Sequence, residues 1–428
     1  MTRNKVLAAI DVGSSKIAVL IGQQNENNER INVLGASSVP SLGIRKGQIV
    51  NIEEASEVII KAVEAAERMA GLSIGRILVS VGGAHISSQN SHGVVAVANP
   101  EGEIVHEDIK RAIEAARAIS LPSSREILHV IPRTYTVDSQ QGVADPIGMS
   151  GVRLEVDTHI ITGSTTAVKN LSKCIAEVGA DIGDLVFSGI ASAGAVLTET
   201  EKELGVILLD IGGGTTSIIV FVENAPSYTA VLPIGSKNVT NDLAIGLRLS
   251  LDGAEKLKIA LSEKHEEILA ERGGNEKGDE IDLAKLGVFE ETKTVSQKTL
   301  VEGIIRPRLN EIFNMVAVEI QKSGFAGLTP SGVVLTGGGA LTVGASESCR
   351  RNLSLPVRVG IPGEISGLVD DILNPAFSVA IGLLFHGFKS GGEKSAGVFL
   401  PRFGGISHKI PLKGLFGKIC SFVRSFLP

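Results

Sequence analysis

The stretch GVILLDIGGGTTSIIVFV at residues 205–222 has an apolar strand pattern, a glycine-rich turn and a second strand pattern. The stretch KVLAAIDVGSSKIAVLIGQQ at residues 5–24 repeats that arrangement. Asp11 and Asp210 open the two turns and lie 199 residues apart. A single repeat at that distance indicates duplication of a domain-sized unit and excludes a short solenoid period.

Both turns have the composition of phosphate-binding loops. Glycine exposes backbone N–H groups and leaves no Cβ in the way of a phosphate. In a Walker loop or a dinucleotide fingerprint the glycine turn joins a strand to a helix, whereas here each turn joins strand to strand. Those two folds are therefore disfavoured. A third glycine triplet, Gly337–Gly339, follows a strand predicted at 332–335.

The aspartates predict a magnesium site. Asp11 and Asp210 each follow a predicted buried strand, and two such carboxylates facing each other could hold Mg²⁺ through its waters. A phosphate clamp would be completed from both sides by Lys16 and the hydroxyls of Ser14, Ser15, Thr215 and Thr216. The alternative is a pair of hairpin turns in which Asp and Gly serve turn geometry alone.

Composition limits the class of protein. The 428 residues are 43% hydrophobic and 21% charged, as in an ordinary globular chain of two to four domains. Three scattered cysteines favour neither a disulfide framework nor a zinc site. Since the sequence has neither a signal-peptide core nor 18 consecutive apolar residues, we expect a protein that is neither secreted nor transmembrane.

Charge and aromatic residues are unevenly distributed. The net charge is −6, with +6 in residues 385–428 and −12 in residues 1–384, and the basic part also holds seven of the 13 Phe. This pattern argues against general nucleic-acid binding and for an anionic partner at the C-terminus.

The final segment, Leu412–Leu427, is amphipathic if helical. Gly414 and Gly417 each cost about 1 kcal/mol of helix propensity, so a partner would have to order it. The alternative is a terminal helix docked on the body. The long linker before the segment favours membrane targeting, with these predicted contacts: Leu412, Leu415, Phe416, Lys418, Ile419, Phe422, Val423, Arg424, Phe426 and Leu427.

Three motifs carry a resemblance to a known superfamily. DVGSSK, DIGGGTT and LTGGGA look like the phosphate-1, phosphate-2 and adenosine motifs of the actin, Hsp70 and sugar-kinase ATPases. More narrowly, ASAGAVLTETEKELGVILLDIGGGTTSIIVF at 191–221, the mixed segment 84–162 and the amphipathic C-terminus resemble the FtsA family of bacterial cell-division proteins. The resemblance implies an α/β, duplicated actin-like (ribonuclease H-like) two-lobed ATPase fold with an inserted β-α-β-β subdomain.

The domain organisation follows from the motifs and the resemblance together. We predict these divisions: 1–83 (first-lobe core, 1A), 84–162 (inserted subdomain, 1C), 163–203 (first-lobe core continued), 204–240 (second-lobe core, 2A), 241–300 (second-lobe insertion, 2B), 301–360 (second-lobe core), 361–387 (return to the first lobe), 388–411 (flexible linker) and 412–428 (membrane-targeting helix). Asn241–Arg272 is predicted to be helical, and one long helix is predicted at about Thr299–Gln321.

The resemblance also implies ATP and Mg²⁺ as ligands. Asp252–Lys258 is similar to the superfamily element whose acid and lysine contact ribose and adenine, although Asp252 as N-cap would explain Glu255 without a ligand. The predicted nucleotide residues are Asp11, Gly13, Ser14, Ser15, Lys16, Asp210, Gly212, Gly213, Gly214, Thr215, Thr216, Glu255, Lys258, Gly337, Gly338 and Gly339.

Hydrolysis is expected to be slow or absent. In the superfamily an acid or amide before the second phosphate loop orients the attacking water, and Ser188–Ala195 contains neither. Ser192 also lies outside a G-x-S-x-G elbow, which argues against a nucleophilic hydrolase. We therefore predict no catalytic residue.

FtsA-like proteins form actin-like filaments and tether FtsZ to the cytoplasmic face of the cell membrane at the division site. The resemblance places the FtsZ C-terminal peptide at the helix matching Gln297–Phe313, with candidates Lys298, Arg306, Arg308 and Glu311. The alternative is that these are solvated helix charges. The inserted subdomain is implied to contact neighbouring subunits and later division proteins.

Competing functions can be separated by simple features. A pilus-assembly actin-like protein shares the loops and the inserted module but normally lacks the linker and amphipathic tail. A small-molecule kinase would need an Asp general base near a sugar pocket, which phosphate transfer with a substrate panel would reveal. An Hsp70-like chaperone would need room for a peptide-binding domain.

Overall fold

A computed structural model describes residues 5–24, 30–270, 280–287, 294–363, 365–367 and 371–390. The predicted membrane-targeting helix, 412–428, lies outside the described residues, as does most of the predicted linker. The start of that linker was predicted wrongly: Phe388 belongs to a helix, because its side chain is buried in the core.

The first lobe begins with a sheet and the helix that covers it. Its elements in chain order are β1 (Lys5–Val12), β2 (Lys16–Gln24), β3 (Ile31–Pro40), β4 (Ile44–Arg45), β5 (Gln48–Ile49), α1 (Ile52–Ala70) and β6 (Arg76–Val81). The Asn51 side chain accepts the Glu54 N–H at 3.3 Å, and Gly71 ends α1 at φ +69°. The sequence predicts both ends of this helix.

The inserted subdomain is a sheet covered on one face by a helix. It contains β7 (Ser87–Ala96), α2 (His106–Arg117), β8 (Arg125–Val137), β9 (Gln140–Val143) and β10 (Arg153–Ser164), in the sheet order β7-β10-β8-β9. The predicted β-α-β-β order is present, with β9 as an additional short strand that pairs with the end of β8.

The chain then completes the first lobe and builds the second. The first lobe adds α3 (Thr165–Ala176), β11 (Asp181–Phe187), α4 (Ser188–Val196) and α5 (Glu199–Leu204). The second contains β12 (Val206–Ile211), β13 (Thr216–Val222), β14 (Ala225–Leu232), α6 (Lys237–Leu247), α7 (Leu251–Ala270), β15 (Glu280–Asp282), β16 (Thr294–Ser296), α8 (Gln297–Leu300), α9 (Arg306–Ser323), β17 (Val333–Thr336), α10 (Ala345–Leu353) and β18 (Val357–Val359). The chain returns to the first lobe with β19 (Ile365–Gly367) and α11 (Ser378–Ser390).

The two lobes have the same sheet topology. The first follows β3-β2-β1-β6-β11, with β19 added beside β3, and the second follows β14-β13-β12-β17-β18. In each, the first three strands are antiparallel and the last two run parallel to the central one. Asp11 and Asp210 occupy equivalent places near the ends of β1 and β12. The duplication seen in the sequence is therefore a duplication of the fold.

Both predicted helical regions contain a break. The region predicted at Asn241–Arg272 forms α6 and α7, which are separated where Arg248 takes a left-handed conformation at φ 56°. The helix predicted at Thr299–Gln321 is α8 and α9, joined by a π-helical turn at Val301–Ile305. Pro307 lies in the first turn of α9 and has no N–H, so the regular α-helical bond to the Gly303 carbonyl is missing at this junction.

The inserted subdomain is hydrogen-bonded to the second lobe at its edge strand β14. Ser88 Oγ donates to the Thr229 carbonyl at 2.8 Å and accepts the Thr229 N–H at 3.0 Å. The His159 ring lies between Asn90 Oδ1 and Thr229 Oγ1, at 2.7 and 2.9 Å. This subdomain, which is inserted into the sequence of the first lobe, is therefore also hydrogen-bonded to the second lobe.

The buried His159 predicts a loss of stability in acid. Burial lowers the pKa of His159 to about 3, helped by the charges of Arg133 and His129. Between its ordinary pKa and that value only the unfolded chain takes up the proton, so stability falls as pH falls. Lowering the pH from 7 to 5 should therefore cost about 2 kcal/mol through this residue. Urea unfolding at both pH values measures it.

The matched variant for this prediction is His159→Gln, which keeps a polar side chain without a titrating ring. Its loss of stability between pH 7 and 5 should be smaller than the wild-type loss by about 2 kcal/mol. His129, whose pKa burial lowers to about 4, should still contribute in both proteins. Equal losses in the two proteins would contradict the prediction.

Candidate functional site

A cleft of about 610 Å³ lies between the lobes, at the ends of their central strands. Its lining includes residues from all three glycine loops and from α7. The predicted nucleotide residues in that lining are Asp11, Gly13, Ser14, Ser15, Lys16, Asp210, Gly212, Gly213, Gly214, Thr215, Glu255, Lys258, Gly337 and Gly338. Segments distant in sequence thus meet at one cavity large enough for a small-molecule ligand.

The first two glycine loops contact each other across the cleft. A Cβ added at Gly213 would lie 2.7 Å from Ser15 Cβ, and one at Gly214 would lie 3.0 Å from Ser14 Cβ. Lys237 Nζ of the second lobe donates to the Ser14 carbonyl at 2.7 Å. Glycine is therefore required at these two positions for the close approach of the lobes.

Asp11 and Asp210 form a pair of repelling carboxylates. Asp11 Oδ1 accepts a hydrogen bond from Ser80 Oγ at 2.8 Å. Burial raises the pKa of Asp11, and burial together with the Asp11 charge raises the pKa of Asp210 to about 7. A divalent cation would relieve both the desolvation and the repulsion.

The donor set fits a cation that keeps its waters. Among the described residues no group of three or more His, Cys, Asp or Glu side chains could enclose a metal ion. Mg²⁺ commonly binds through only one or two carboxylates together with waters and substrate phosphates. Asp11 and Asp210 are therefore suited to Mg²⁺ held through water.

Lys16 supplies a cation at the same end of the cleft. Its Nζ lies 3.3 Å from the centroid of the Phe377 ring. Burial lowers the Lys16 pKa to about 8, and the Asp11 charge partly offsets that effect. The ammonium thus interacts with the Asp11 charge and is partly removed from water.

Glu255 and Lys258 form an ion pair on α7. Lys258 Nζ lies 2.8 and 2.7 Å from the two Glu255 carboxylate oxygens and 3.0 Å from Thr240 Oγ1. The alternative of Asp252 as N-cap is wrong: the helix begins at Leu251, and the Ser250 hydroxyl accepts the Gly253 N–H at 3.1 Å. Glu255 is therefore directed toward Lys258 and the cleft.

Two predicted residues lie outside the lining. The Thr216 hydroxyl is fully buried and donates to the Ile234 carbonyl at 2.9 Å, so it faces away from a phosphate. Gly339 packs against Ile211, where an added Cβ would lie 2.3 Å from Ile211 Cγ2. The ligand role predicted for the Thr216 hydroxyl is therefore corrected, because this hydroxyl fixes the end of the loop. Gly339 permits packing, and its ligand role stays a prediction.

Sequence reasoning missed several lining residues, among them Ser80, Ser236 and the segment Asn374–Phe377. Ser80 had a usable signal, because it is the penultimate residue of β6, which pairs in parallel with β1. Asn374-Pro375 is a recognisable turn dipeptide. Phe377 had no local signal, since only the tertiary fold brings it to Lys16.

Of the four residues predicted to bind an FtsZ peptide, Lys298 lies on α8 and the other three lie on α9. Arg308 makes two bonds to Asp242 of α6, at 2.5 and 2.9 Å, and also contacts Glu311. Arg306 contacts Glu302 and bonds Glu347 at 3.1 Å. Lys298 is exposed on α8. Intramolecular ion pairs thus already account for both arginines, and the alternative of solvated helix charges stays open.

The membrane-binding residues predicted in 412–428 lie outside the described residues, so the structure does not bear on them. Within the part that the structure describes, no helix combines the length and apolarity needed to cross a bilayer.

The duplicated sheets and the cleft between them define the actin-like ATPase fold, as predicted. Solved structures agree. The chain is similar to a PilM-PilN type IV pilus biogenesis complex (TM-score 0.62, 16% identity, 89% of this chain and 98% of that one). It is also similar to MreB5 of Spiroplasma citri bound to ADP (TM-score 0.51, 11% identity, 91% and 99%).

Sequence comparisons give the family. The model described as "SHS2 domain inserted in FTSA" matches residues 83–162, and that described as "Cell division protein FtsA" matches residues 207–382. Cell division protein FtsA of Pseudomonas aeruginosa is 40% identical over 90% of both chains. The protein of that name from Escherichia coli K12 is 33% identical over 91% of this chain and 92% of its own. The chain belongs to the FtsA family of cell division proteins, which confirms the predicted resemblance.

Proposed function

We propose that this protein is an ATP-binding, filament-forming membrane tether of the bacterial division machinery. It binds FtsZ at the cytoplasmic face of the membrane at the division site and helps to recruit later division proteins. The observation that carries the proposal is a cleft with two glycine loops and paired aspartates in a chain of the FtsA family. The pilus-assembly alternative is not favoured, since the curated relatives are division proteins and the pilus structure shares only the fold.

Nucleotide binding rests on the chemistry of the cleft. Backbone N–H groups of two glycine loops and the Lys16 ammonium suit phosphates, and Glu255 and Lys258 suit the ribose and base end. Bound Mg²⁺ would neutralise phosphate charge, with Asp11 and Asp210 holding its waters. The structure of the similar MreB5 was solved with ADP.

We expect ATP hydrolysis to be slow or absent. Helix α4, which precedes the second phosphate loop, brings Ser188 to the cleft, while the Ser192 hydroxyl donates to the Gly189 carbonyl at 3.2 Å. No acid or amide in 188–195 can orient a water molecule. Steady-state phosphate release by the purified protein should therefore stay well below one per second. Turnover of several per second would overturn this expectation.

Self-association into actin-like filaments is part of the proposal. The similar MamK structure is a double helical filament, with a TM-score of 0.51 and 12% identity. The inserted subdomain presents the exposed Val94 and Val152 at its surface, where a neighbouring subunit or a later division protein could bind.

The FtsZ peptide site is tested at Arg308. Arg308→Glu should weaken binding of an FtsZ C-terminal peptide by at least about tenfold. The substitution removes a cation that would bond a peptide carboxylate, and it puts a negative charge in the same place. Fluorescence anisotropy of a labelled peptide measures this. Lys322→Glu is the matched control: it reverses another ion-paired cation on α9 and should change affinity less than about twofold. Unchanged affinity in the Arg308 variant would remove it from the site.

The tethering function is tested by co-sedimentation with anionic vesicles, with and without ATP and FtsZ. The full chain should pellet with vesicles and should carry FtsZ with it. FtsZ alone should remain in the supernatant. If the full chain bound vesicles but left FtsZ in solution, tethering would be wrong.

A further inference from the structure

Phe377 lies next to Lys16, the cation at the phosphate end of the cleft. The Lys16 Nζ lies over its ring at 3.3 Å from the centroid, and both residues line the cleft. Phe377 also packs against the first-lobe apolar cluster that contains Leu20 and Ala380. The aromatic side chain thus has an apolar contact and a contact with the cation.

The short turn that carries Phe377 is fixed from both lobes. Asn374 Oδ1 accepts the Ala376 N–H at 2.9 Å, and the Pro375 carbonyl accepts the Gly337 N–H at 3.1 Å. The buried hydroxyls of Ser378 and Thr336 are 2.6 Å apart. Since these bonds involve backbone or neighbouring side chains, the position of the ring does not depend on its contact with Lys16.

The chemistry of the contact leaves the ammonium able to bind a ligand. An aromatic face attracts a cation through its quadrupole without using a localised lone pair. Lys16 has three N–H donors, so those directed away from the ring can reach phosphate oxygens. A carboxylate in the place of the ring would instead compete with the phosphate for the same charge.

We propose that Phe377 is a positioning residue that holds the Lys16 ammonium at the phosphate end of the cleft and so makes binding depend on the nucleotide's phosphates. The proposal rests on the proposed function, namely that this cleft binds ATP. The ring limits the lysine to positions near the first phosphate loop, where Asp11 adds a further attraction. The nucleoside itself needs neither side chain.

The test is the affinity of the full chain for ATP, ADP and adenosine, measured by competition with a fluorescent ADP. Phe377→Leu keeps an apolar side chain but removes the aromatic face, and should weaken ATP and ADP binding about 5- to 20-fold. Adenosine affinity should change less than about twofold. Phe377→Tyr, which keeps the face, should bind all three within about twofold of the wild type.

A double-mutant cycle separates positioning from a general structural role. Lys16→Met should weaken ATP binding, and Phe377→Leu added to it should weaken binding by less than about a further twofold, because the cation that the ring holds is gone. Thermal unfolding of each variant checks the fold.

Three results would overturn the inference. One is an unchanged ATP affinity in Phe377→Leu. Another is a loss of adenosine affinity equal to the loss of ATP affinity, which would indicate that the ring contacts the base. The third is an undiminished effect of Phe377→Leu in the Lys16→Met protein. If the wild type bound neither ATP nor ADP, the proposed function itself would fail, and that outcome is distinct from these three.

Discussion

Replacing Asp210 with Asn should weaken Mg²⁺-dependent ATP binding by about 10- to 100-fold, the usual effect of removing a partner that holds a metal's ligands. The same substitution should stabilise the nucleotide-free protein. Asp210 is buried beside Asp11, and the neutral amide has almost the same shape without the charge. Since one pKa unit corresponds to about 1.4 kcal/mol, a gain on the order of 1–3 kcal/mol is expected at pH 7.

Calorimetric titration with ATP, with and without Mg²⁺, and urea unfolding measure the two effects. Asp184→Asn is the matched control, because Asp184 is also buried but lies outside the cleft and bonds His386 at 3.0 Å. The control should leave ATP affinity unchanged. If Asp210→Asn kept both its affinity and its dependence on Mg²⁺, the paired aspartates would not be the cation site.

Deleting residues 412–428 should release the protein from anionic vesicles. As a helix, the segment would have eight apolar side chains on one face, and half-burying them would contribute on the order of 10 kcal/mol before the cost of ordering. Each basic residue near the surface adds about 1 kcal/mol toward anionic lipid. The full chain should therefore pellet with vesicles, while the shortened chain stays in the supernatant.

A matched pair of point variants tests the face itself. Ile419 lies at the centre of the apolar side of the helical projection, and Ser421 lies opposite. Ile419→Asp should reduce vesicle binding at least about tenfold, because a charge replaces a side chain worth about 1.5–3 kcal/mol when buried. Ser421→Asp introduces the same charge and should change binding only slightly. Equal losses, or vesicle binding by the shortened chain, would contradict membrane anchoring by this helix.

The sequence predicts the fold because the same local strand-turn-strand pattern occurs twice. Asp11 and Asp210 each follow an apolar strand, and that local pattern is enough to predict two equivalent sheets. The same local rules predict both ends of α1, from Asn51 and Gly71. They miss the break at Arg248, because a left-handed arginine carries no signal comparable to a glycine.

The cleft was only partly predictable, for a different reason. Glycines next to a strand mark a loop, but their neighbours in space decide whether each one faces a ligand. Gly213 meets the opposite lobe, whereas Gly339 meets Ile211 of its own lobe. Ser80 and Phe377 reach the cleft from separate elements, through strand pairing and the return of the chain to the first lobe. The spacing of residues in the sequence does not predict those tertiary contacts.

The hydrogen bonds between the inserted subdomain and β14 also limit how the molecule can move. Two lobes joined along one side can rotate apart about that side, but the inserted subdomain, which contacts both lobes, restricts this rotation. Ser88 and His159 of the inserted subdomain make hydrogen bonds to Thr229 of the second lobe. Any rotation that widens the cleft must therefore either shear those bonds or turn the inserted subdomain along with the second lobe. If those bonds hold, a change in cleft width must also move the inserted subdomain.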